Sequence, residues 1–245
     1  MRDLIIMMLR LQGGIASNTI QMYSYACSSY NFINSKKLVL ASNSAFRQQC
    51  LKDLNFIFNV QISGFAEDLE KTNSYDYVNK TVYGKFDSFM KLYPKYECDI
   101  VIFADTIVEL DGKIIEKPVD EEEVYKFFKA YSNNCVSILT SIIVAIVNKD
   151  NSGDNIVKQF KQDTAISKVY FQEINDDIIK DYIQYENKNN IFRASGGFSN
   201  TGLTKTLIKN IDGCFYNCDG FPIQLFIKVL LDMLVSEYGP NAWNI

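Results

Sequence analysis

Apolar segments with two different periods alternate along this chain, and that alternation constrains its fold more than any other feature. A short apolar run at 38–42 is followed by helical spacing at 44–54, and an alternating segment at 56–62 precedes a second helical pattern. Later, two β-branched runs at 135–147 and 156–171 flank a polar stretch, which predicts a long hairpin. Strands that alternate with helices and are then joined by hairpins predict an α/β fold: a mixed twisted sheet with flanking helices, in two lobes around a cleft.

Local signals fix several ends of these elements. Ser44, Asp120 and Asn175 stand where helix N-caps are expected, and Asp111-Gly112 is a strong signal for a hairpin turn. The other predicted elements are a buried strand at 99–104 that ends just before Asp105, a strand at 204–211, and a last helix from Pro222 to about Leu234.

The composition excludes several classes of function. With 47% apolar and 22% charged residues, the 245-residue chain has the make-up of a soluble globular protein, and no apolar run reaches the roughly 18 residues of a membrane span. A net charge of −4 argues against a nucleic-acid binder, so we expect neither nucleic acid nor membrane as a partner. Histidine is absent, which excludes histidine-based triads and zinc sites and leaves carboxylates, lysine, tyrosine or cysteine for proton transfer.

The first 36 residues differ from the rest of the chain. Residues 1–36 are poor in acids and contain many Ser, Asn and Tyr, which is typical of a poorly ordered extension or a targeting segment. We expect one domain at 37–236 and a short tail at 237–245. The six cysteines are scattered without a C-x-x-C pair, which predicts reduced thiols and, with no convincing leader, a cytoplasmic protein.

The junction LVLASNSAFRQQCL at 38–51 is the first candidate site. Here a strand gives way to a helix start, where free backbone amides and the positive end of the helix dipole favour an anion. Ser42 and Ser44 add hydroxyl donors, and Arg47 adds a guanidinium suited to a phosphate. From these residues alone, an ordinary capped helix with a solvated arginine is an equally good interpretation.

Carboxylates follow two other predicted strands. Asp105 in FADT can bind a divalent metal or deprotonate water, and a carboxylate of the pair Glu67-Asp68 after the second strand can share that metal. Taken singly, Asp105 is more typical of a turn and Glu67 of an exposed acidic loop. Lys85 and Lys117, which singly are typical surface charges, complete a set of cations if the topology brings them to the same cleft. Carboxylates and cations without histidine predict a pocket that handles phosphates.

Three blocks of the sequence carry a family resemblance. They are LASNSAFR at 40–47, FADTIVELDGKIIEKP at 103–118 and IDGCFYNCDGFP at 211–222. In this order they resemble the signatures of the Maf family of nucleoside triphosphate pyrophosphatases, with Ala45 and Glu116 replacing the usual proline and glycine. The resemblance extends from about Leu38 to about Leu234. It implies the Maf and inosine triphosphate pyrophosphatase type of fold, whose two lobes enclose a nucleotide-binding cleft.

The resemblance implies hydrolysis of a nucleoside triphosphate between its α and β phosphates, with Mg²⁺ or Mn²⁺ as cofactor. Asp105 takes the position of the general base, and Glu67 and Asp105 take those of metal ligands. The positions that contact phosphate in the family are Ser42, Arg47, Lys85 and Lys117, and Ser44 lies beside them. Family members are often dimers, so a homodimer is implied as well.

The remaining positions of the resemblance concern the base and one missing cation. Phe46, Thr106 and Thr201 fall where family branches differ in base preference, and the Phe46 ring is suited to stack on a base. Ala194 stands where the family carries a lysine or cysteine, and Arg193 is a candidate substitute cation.

The residues and the resemblance together lead to two hypotheses about function. One is an enzyme that clears modified or surplus nucleotides. The other, suggested by the altered late loop, is a nucleotide-binding regulator linked to cell division with little turnover.

Overall fold

The computed structural model describes residues 30–239, and these form one open sheet of seven strands with helices on both faces. The strands are β1 (Leu38–Leu40), β2 (Phe58–Val60), β3 (Ile100–Leu110), β4 (Lys113–Ile115), β5 (Cys135–Lys149), β6 (Asn155–Phe171) and β7 (Ile208–Asp212). Their order is β2-β1-β3-β5-β6-β7, with β4 added to β3. β1 is parallel to β2 and β3 whereas the other pairs are antiparallel, so the predicted α/β class with a mixed sheet is confirmed.

The helices pack on this sheet in three groups. They are α1 (Ala45–Asp53), α2 (Ser74–Leu92), α3 (Glu121–Tyr131), α4 (Asp176–Tyr185), α5 (Lys188–Phe192) and α6 (Ile223–Tyr238). α1 and α6 share one apolar core with the parallel half of the sheet, and α2 shares another core on the opposite face. α3 and α4 cover the antiparallel half, where a separate core contains Phe128, Phe171 and Tyr182. The cores therefore divide the molecule into two halves along one sheet.

β1 shows how the sequence sets this layering. Its three residues are at most 1% exposed. Leu38 and Leu40 join the core beneath α1 and α6, whereas Val39 joins the core beneath α2. A strand buried on both faces is apolar throughout because successive side chains point to opposite faces. The run LVL thus places β1 inside the sheet, and the junction at its carboxyl end lies between the two helical layers.

β3 is longer than the sequence predicts, and this corrects the position of Asp105. The strand was expected to end at Ala104, but it continues because β5 pairs with it along almost its whole length. On its other edge β3 pairs with β1 only at 100–102 and with β4 only at 108–110. Among the described residues, the stretch 103–107 therefore has a strand neighbour on one edge alone. Asp105 lies in mid-strand beside this gap.

Several predicted ends are confirmed by the side chains that make them. Ser44, Asp120 and Asn175 each accept a backbone N–H in the first turn of their helices. Asp111 and Gly112 have φ of 50° and 76°, the backbone geometry that suits a two-residue hairpin turn. Capping and turn chemistry is therefore readable from short-range sequence alone.

The strand predicted at 204–211 is wrong at its start. Residues 202–206 form a 3-10 turn, and β7 begins at Ile208. The Glu186 carboxylate, which lies beyond the end of α4, accepts the backbone N–H of Leu203. This long-range bond fixes a turn that the periodicity of apolar residues does not register.

Both ends of the described chain pack against the body of the domain. Residues 30–34 form a helical turn in which Ile33 is 2% exposed, and α6 continues to Tyr238. We therefore propose a domain wider than the predicted 37–236. The greater part of the predicted extension lies outside the described residues. Within the part of the chain that the structure describes, no helix is long and apolar enough to cross a membrane.

Candidate active site

Arg47 is held by three neutral oxygen atoms at the carboxyl end of β1. It lies in the first turn of α1, which Ser44 caps, and it is 8% exposed. Its Nε donates to the carbonyl of Gly220 (2.9 Å), its Nη1 to the hydroxyl of Ser42 (3.0 Å) and its Nη2 to the hydroxyl of Thr106 (2.8 Å). Because Thr106 and Gly220 lie 59 and 173 positions from Arg47 in the sequence, the fold itself fixes the plane of the guanidinium.

The Arg47 guanidinium keeps both charge and donor capacity. Arginine carries five N–H donors, so the three bonds leave two N–H groups of Arg47 without a partner among residues 30–239. Burial lowers the pKa of the guanidinium, and the negative charges of Asp105 and Glu67 oppose that shift. Arginine nevertheless stays protonated in proteins. A buried positive charge with oriented, unused donors suits a phosphate oxygen.

Lys85 lies between two carboxylates on the other side of β3. α2 carries it, and its Nζ is 2.6 Å from Asp105 Oδ1 and 2.7 Å from Glu67 Oε1. The side chains of Lys85 and Asp105 are each 10% exposed, whereas that of Glu67, on the loop before α2, is 50% exposed. Asp105 and Thr106 are neighbours in one strand, so their side chains point to opposite faces. The carboxylates therefore face the α2 layer, and the Arg47 network faces the α1 layer.

Electrostatics link the two groups. Burial is the largest single influence and would raise the pKa of the Glu67 carboxyl, but the charge of Lys85 and its hydrogen bond to the carboxylate lower it. The charges of Lys117 and Arg47 act in the same direction, so the pKa of Glu67 lies below its ordinary value. The charges of three cations thus act on one carboxylate near the gap beside β3, and of the three it is Lys85 that contacts it.

The loop after α5 forms a further wall of this region. The Ser195 hydroxyl donates to the carbonyl of Thr106 (3.1 Å), and the Asn200 backbone N–H donates to Asp219 Oδ1 (2.8 Å). Burial raises the pKa of Asp219, and the Asn200 bond opposes that shift. Since Asp219 immediately precedes the glycine whose carbonyl holds Arg47, the loop is tied to both sides of the guanidinium network.

Four other predicted site residues take no part in the hydrogen bonds of Arg47 or the ion pairs of Lys85. Lys117 is exposed and, within 30–239, makes no side-chain hydrogen bond or ion pair. Phe46 is half-buried in α1 and belongs to none of the described apolar cores. The Thr201 hydroxyl bonds the Ser199 hydroxyl (2.7 Å). Arg193 is exposed at the end of α5, and its side chain has no bond to the described site residues. The roles of these residues stay predictions.

Sequence reasoning missed three groups that the fold brings to the site. The Gly220 carbonyl and the Thr140 hydroxyl belong to the network around Arg47. Tyr77 is 5% exposed, and burial followed by the negative charge of Asp105 raises its pKa. Of these three groups, only Gly220 could have been found from the sequence, because it lies in the family block IDGCFYNCDGFP at 211–222.

Comparison with known proteins identifies the family that carries this arrangement. A family model described as Maf-like protein matches residues 37–233. The chain belongs to the Maf family. The match includes every residue of the Arg47 network and of the Lys85 cluster, and it confirms the predicted resemblance.

Curated Maf relatives extend the match over most of the chain. A dTTP/UTP pyrophosphatase of Fusobacterium nucleatum is 32% identical over 193 residues, which cover 79% of this chain and 93% of the relative. A dTTP/UTP pyrophosphatase of Pyrococcus furiosus is 33% identical over 195 residues, covering 80% and 94%. A human protein named probable bifunctional dTTP/UTP pyrophosphatase/methyltransferase is 33% identical over 205 residues, which cover 81% of this chain but 32% of that protein.

Proposed function

We propose that this chain hydrolyses dTTP and UTP between the α and β phosphates, releasing the monophosphate and pyrophosphate. Nucleoside triphosphate pyrophosphatase activity in a nucleotide house-cleaning role is the class that its Maf relatives support. One observation carries the proposal in this chain. An arginine with two unused donors and two carboxylates that share one cation meet at the unpaired edge of β3.

The residues present fit a divalent cation. The carboxylates of Asp105 and Glu67 already converge on one positive charge, the Lys85 ammonium. No group of three or more acidic or thiol ligands occurs among the described residues, so two carboxylates are what the protein itself offers. Mg²⁺ is commonly bound in this way, by one or two carboxylates together with substrate phosphates. We therefore assign the two carboxylates to Mg²⁺ or Mn²⁺, which would neutralise charge on the phosphates and lower the pKa of bound water.

Phosphate binding and proton transfer are assigned to separate residues of the chain. The two unused donors of Arg47 bind phosphate oxygens, and Ser42 keeps the guanidinium in place. Ser44 caps α1 by accepting the backbone N–H of Arg47, which leaves the other amides of the first turn for an anion. Lys85 and Lys117 add positive charge around Glu67. Asp105 Oδ1 is bound by Lys85, and its other oxygen, which has no partner among residues 30–239, takes a proton from the attacking water.

Three further assignments belong to this proposal. The five described cysteines are free thiols, which supports a cytoplasmic location. The Phe46 ring at the start of α1 is assigned to the base, and a homodimer is the expected assembly.

A product assay tests the proposal. Purified protein with Mg²⁺ or Mn²⁺ is given dTTP, UTP, CTP, dATP and dGTP, and pyrophosphate, orthophosphate and monophosphate are quantified separately. We expect equal amounts of pyrophosphate and monophosphate, with dTTP and UTP turned over fastest. Asp105→Asn should lower kcat by about 1000-fold, as expected for a lost general base. The matched control is Asp111→Asn at the exposed hairpin turn, where asparagine accepts the positive φ of 50° and should leave kcat unchanged.

The assay has clear contrary outcomes. Orthophosphate as the first product would place the cleavage elsewhere, and full activity of Asp105→Asn would remove that residue from catalysis. Tight nucleotide binding without any product, in the presence of either metal, would favour the regulator hypothesis over the enzyme.

A further inference from the structure

Tyr77 has a buried ring and a hydroxyl without a partner in the described part of the protein. The residue lies in the first turn of α2 and is 5% exposed. Its ring shares a small apolar core with Val78, Ile107 and Leu139. Among residues 30–239, no group bonds the Tyr77 hydroxyl, and its oxygen is not one of the fully enclosed polar atoms. Because a buried tyrosine usually satisfies its hydroxyl, this O–H is left for a ligand.

α2 presents this hydroxyl on the same face as Lys85. Residues four apart on a helix are neighbours, so Tyr77, Thr81 and Lys85 form one line along α2. They are 5%, 1% and 8% exposed, so the whole line faces the protein. Lys85 contacts Asp105, and Tyr77 shares its core with Ile107, two residues further along the same face of β3. Tyr77 therefore lies next to Asp105, at the end of the gap that is nearest β4.

The charges around the Tyr77 hydroxyl are mostly negative. Burial, followed by the negative charges of Asp105 and Glu116, raises the pKa of Tyr77. Glu67 adds to this shift, and Lys71, which opposes it, is itself paired with Glu116 at 2.6 Å. The hydroxyl therefore keeps its proton and is a donor. These carboxylates would repel a phosphate oxygen but not a water molecule, so the surroundings favour a neutral ligand.

We propose that the Tyr77 hydroxyl donates a hydrogen bond to the water that Asp105 activates. Such a water accepts from Tyr77 with one lone pair and donates to the Asp105 oxygen that Lys85 does not bind, which leaves its second lone pair for the α-phosphorus. In that step the water oxygen bonds to phosphorus, its proton passes to Asp105, and the bridging oxygen leaves with pyrophosphate. Tyr77 keeps its own proton. The role rests on the proposed function, because it requires Asp105 as general base.

The proposal separates turnover from binding and from stability. Tyr77→Phe keeps the ring and removes the donor, so we expect kcat for dTTP to fall about tenfold, the effect of one lost hydrogen bond. The affinity for α,β-methylene-dTTP, which cannot be hydrolysed at that bond, should stay the same, because the hydroxyl does not touch the nucleotide. The midpoint of urea unfolding should not fall, since the hydroxyl has no partner among residues 30–239 to lose.

A double substitution tests whether Tyr77 acts through Asp105. Residues that act together on one step are strongly non-additive. Once Asp105→Asn has removed the base, adding Tyr77→Phe should lower the remaining kcat by less than about twofold. Tyr83→Phe is the matched control, because Tyr83 lies on the same helix, is 48% exposed and has no part in the site. Steady-state pyrophosphate release gives kcat, calorimetry gives the analogue affinity, and all variants are made in the full-length protein.

Several results would overturn the role of Tyr77. These are an unchanged kcat in Tyr77→Phe, an analogue affinity that falls as far as kcat, or the same loss of kcat with and without Asp105→Asn. A lower urea midpoint that accompanies the loss of kcat would make the hydroxyl structural. Normal turnover in both the original protein and Tyr77→Phe would overturn this role and leave the proposed function standing. No pyrophosphate from any nucleotide with the original protein would overturn both.

Discussion

Two buried cations flank β3, and the protein holds them in opposite ways. Arg47 donates to two hydroxyls and one carbonyl, none of which carries a charge. Lys85 lies between the carboxylates of Asp105 and Glu67. Neutral partners orient a cation and leave its charge for a ligand, whereas carboxylates neutralise it. The α1 side of the site is therefore positive, and the α2 side carries one net negative charge when its three groups are ionised.

The opposite charges of the two sides of β3 favour a different kind of ligand on each side. The positive side attracts the phosphate chain, and the negative side attracts a divalent cation. A metal that reaches Asp105 and Glu67 must share them with Lys85 or displace it, because the ammonium lies within 2.7 Å of both carboxylates. The comparison therefore predicts that orientation matters most at Arg47 and that charge balance matters most at Lys85.

The largest effect is expected from Arg47→Lys, which keeps the charge and removes the planar fork. A lysine ammonium cannot reach the three anchoring oxygens and still present two donors to phosphate. We expect kcat/KM for dTTP to fall by about 100-fold, the cost of losing charge-assisted hydrogen bonds. Lys52→Arg, at an exposed position of the same helix, is the control. Activity within a few-fold of the original protein would mean that charge alone suffices at position 47.

Lys85→Met should lower stability, because it leaves two carboxylates close together without a cation. We expect the free energy of unfolding, measured in urea, to fall by about 2 kcal/mol, less than for a fully enclosed pair since the site opens to solvent. Mn²⁺ should raise the stability of this variant more than that of the original protein. Lys129→Met breaks the exposed pair with Asp176, whose side chains are 49% and 52% exposed, and should lower stability much less, because solvent screens such a pair. Equal losses in the two variants would contradict the assigned charge balance.

The smallest effect concerns acid stability. The pKa of Glu67 lies below its ordinary value of 4.5, so the ionised carboxyl favours the folded state. That contribution is complete above pH 4.5 and is lost as the pH falls through the lower folded pKa. The stability difference between the original protein and Glu67→Gln should therefore be constant from pH 7 to about 5 and shrink below 4.5. Because Glu67 is half exposed, we expect this difference in the free energy of unfolding to stay under about 1 kcal/mol. A difference that grows on acidification would contradict this assignment.

Sequence reasoning succeeded where a short segment determines its own geometry. The Ser44 cap, the Asp111-Gly112 turn and the start of α1 depend on neighbours a few residues away, and they are as predicted. Asp105 and Arg47 were singled out only through the combination of carboxylates, cations and the family resemblance, because each residue alone has an ordinary structural interpretation, and their roles stay predictions.

The rest of the network depends on contacts that no local pattern encodes. The Gly220 carbonyl reaches Arg47 across 173 positions of the sequence, and Thr140 reaches Thr106 across 34. The continuation of β3 past Ala104 likewise depends on pairing with β5. A carbonyl and a buried threonine have no chemical signature in a sequence, so they become visible only when the strands are placed side by side.

The adjacency of Asp105 and Thr106 also restricts how this gene can change. Inserting or deleting one residue between Ile100 and Ala104 would exchange the two faces of the strand, turning the carboxylate toward Arg47 and the hydroxyl toward Lys85. Such a lineage would lose both halves of the site in a single event. We therefore expect a one-residue insertion to be tolerated at turns such as the exposed one at 151–153 and not inside β3.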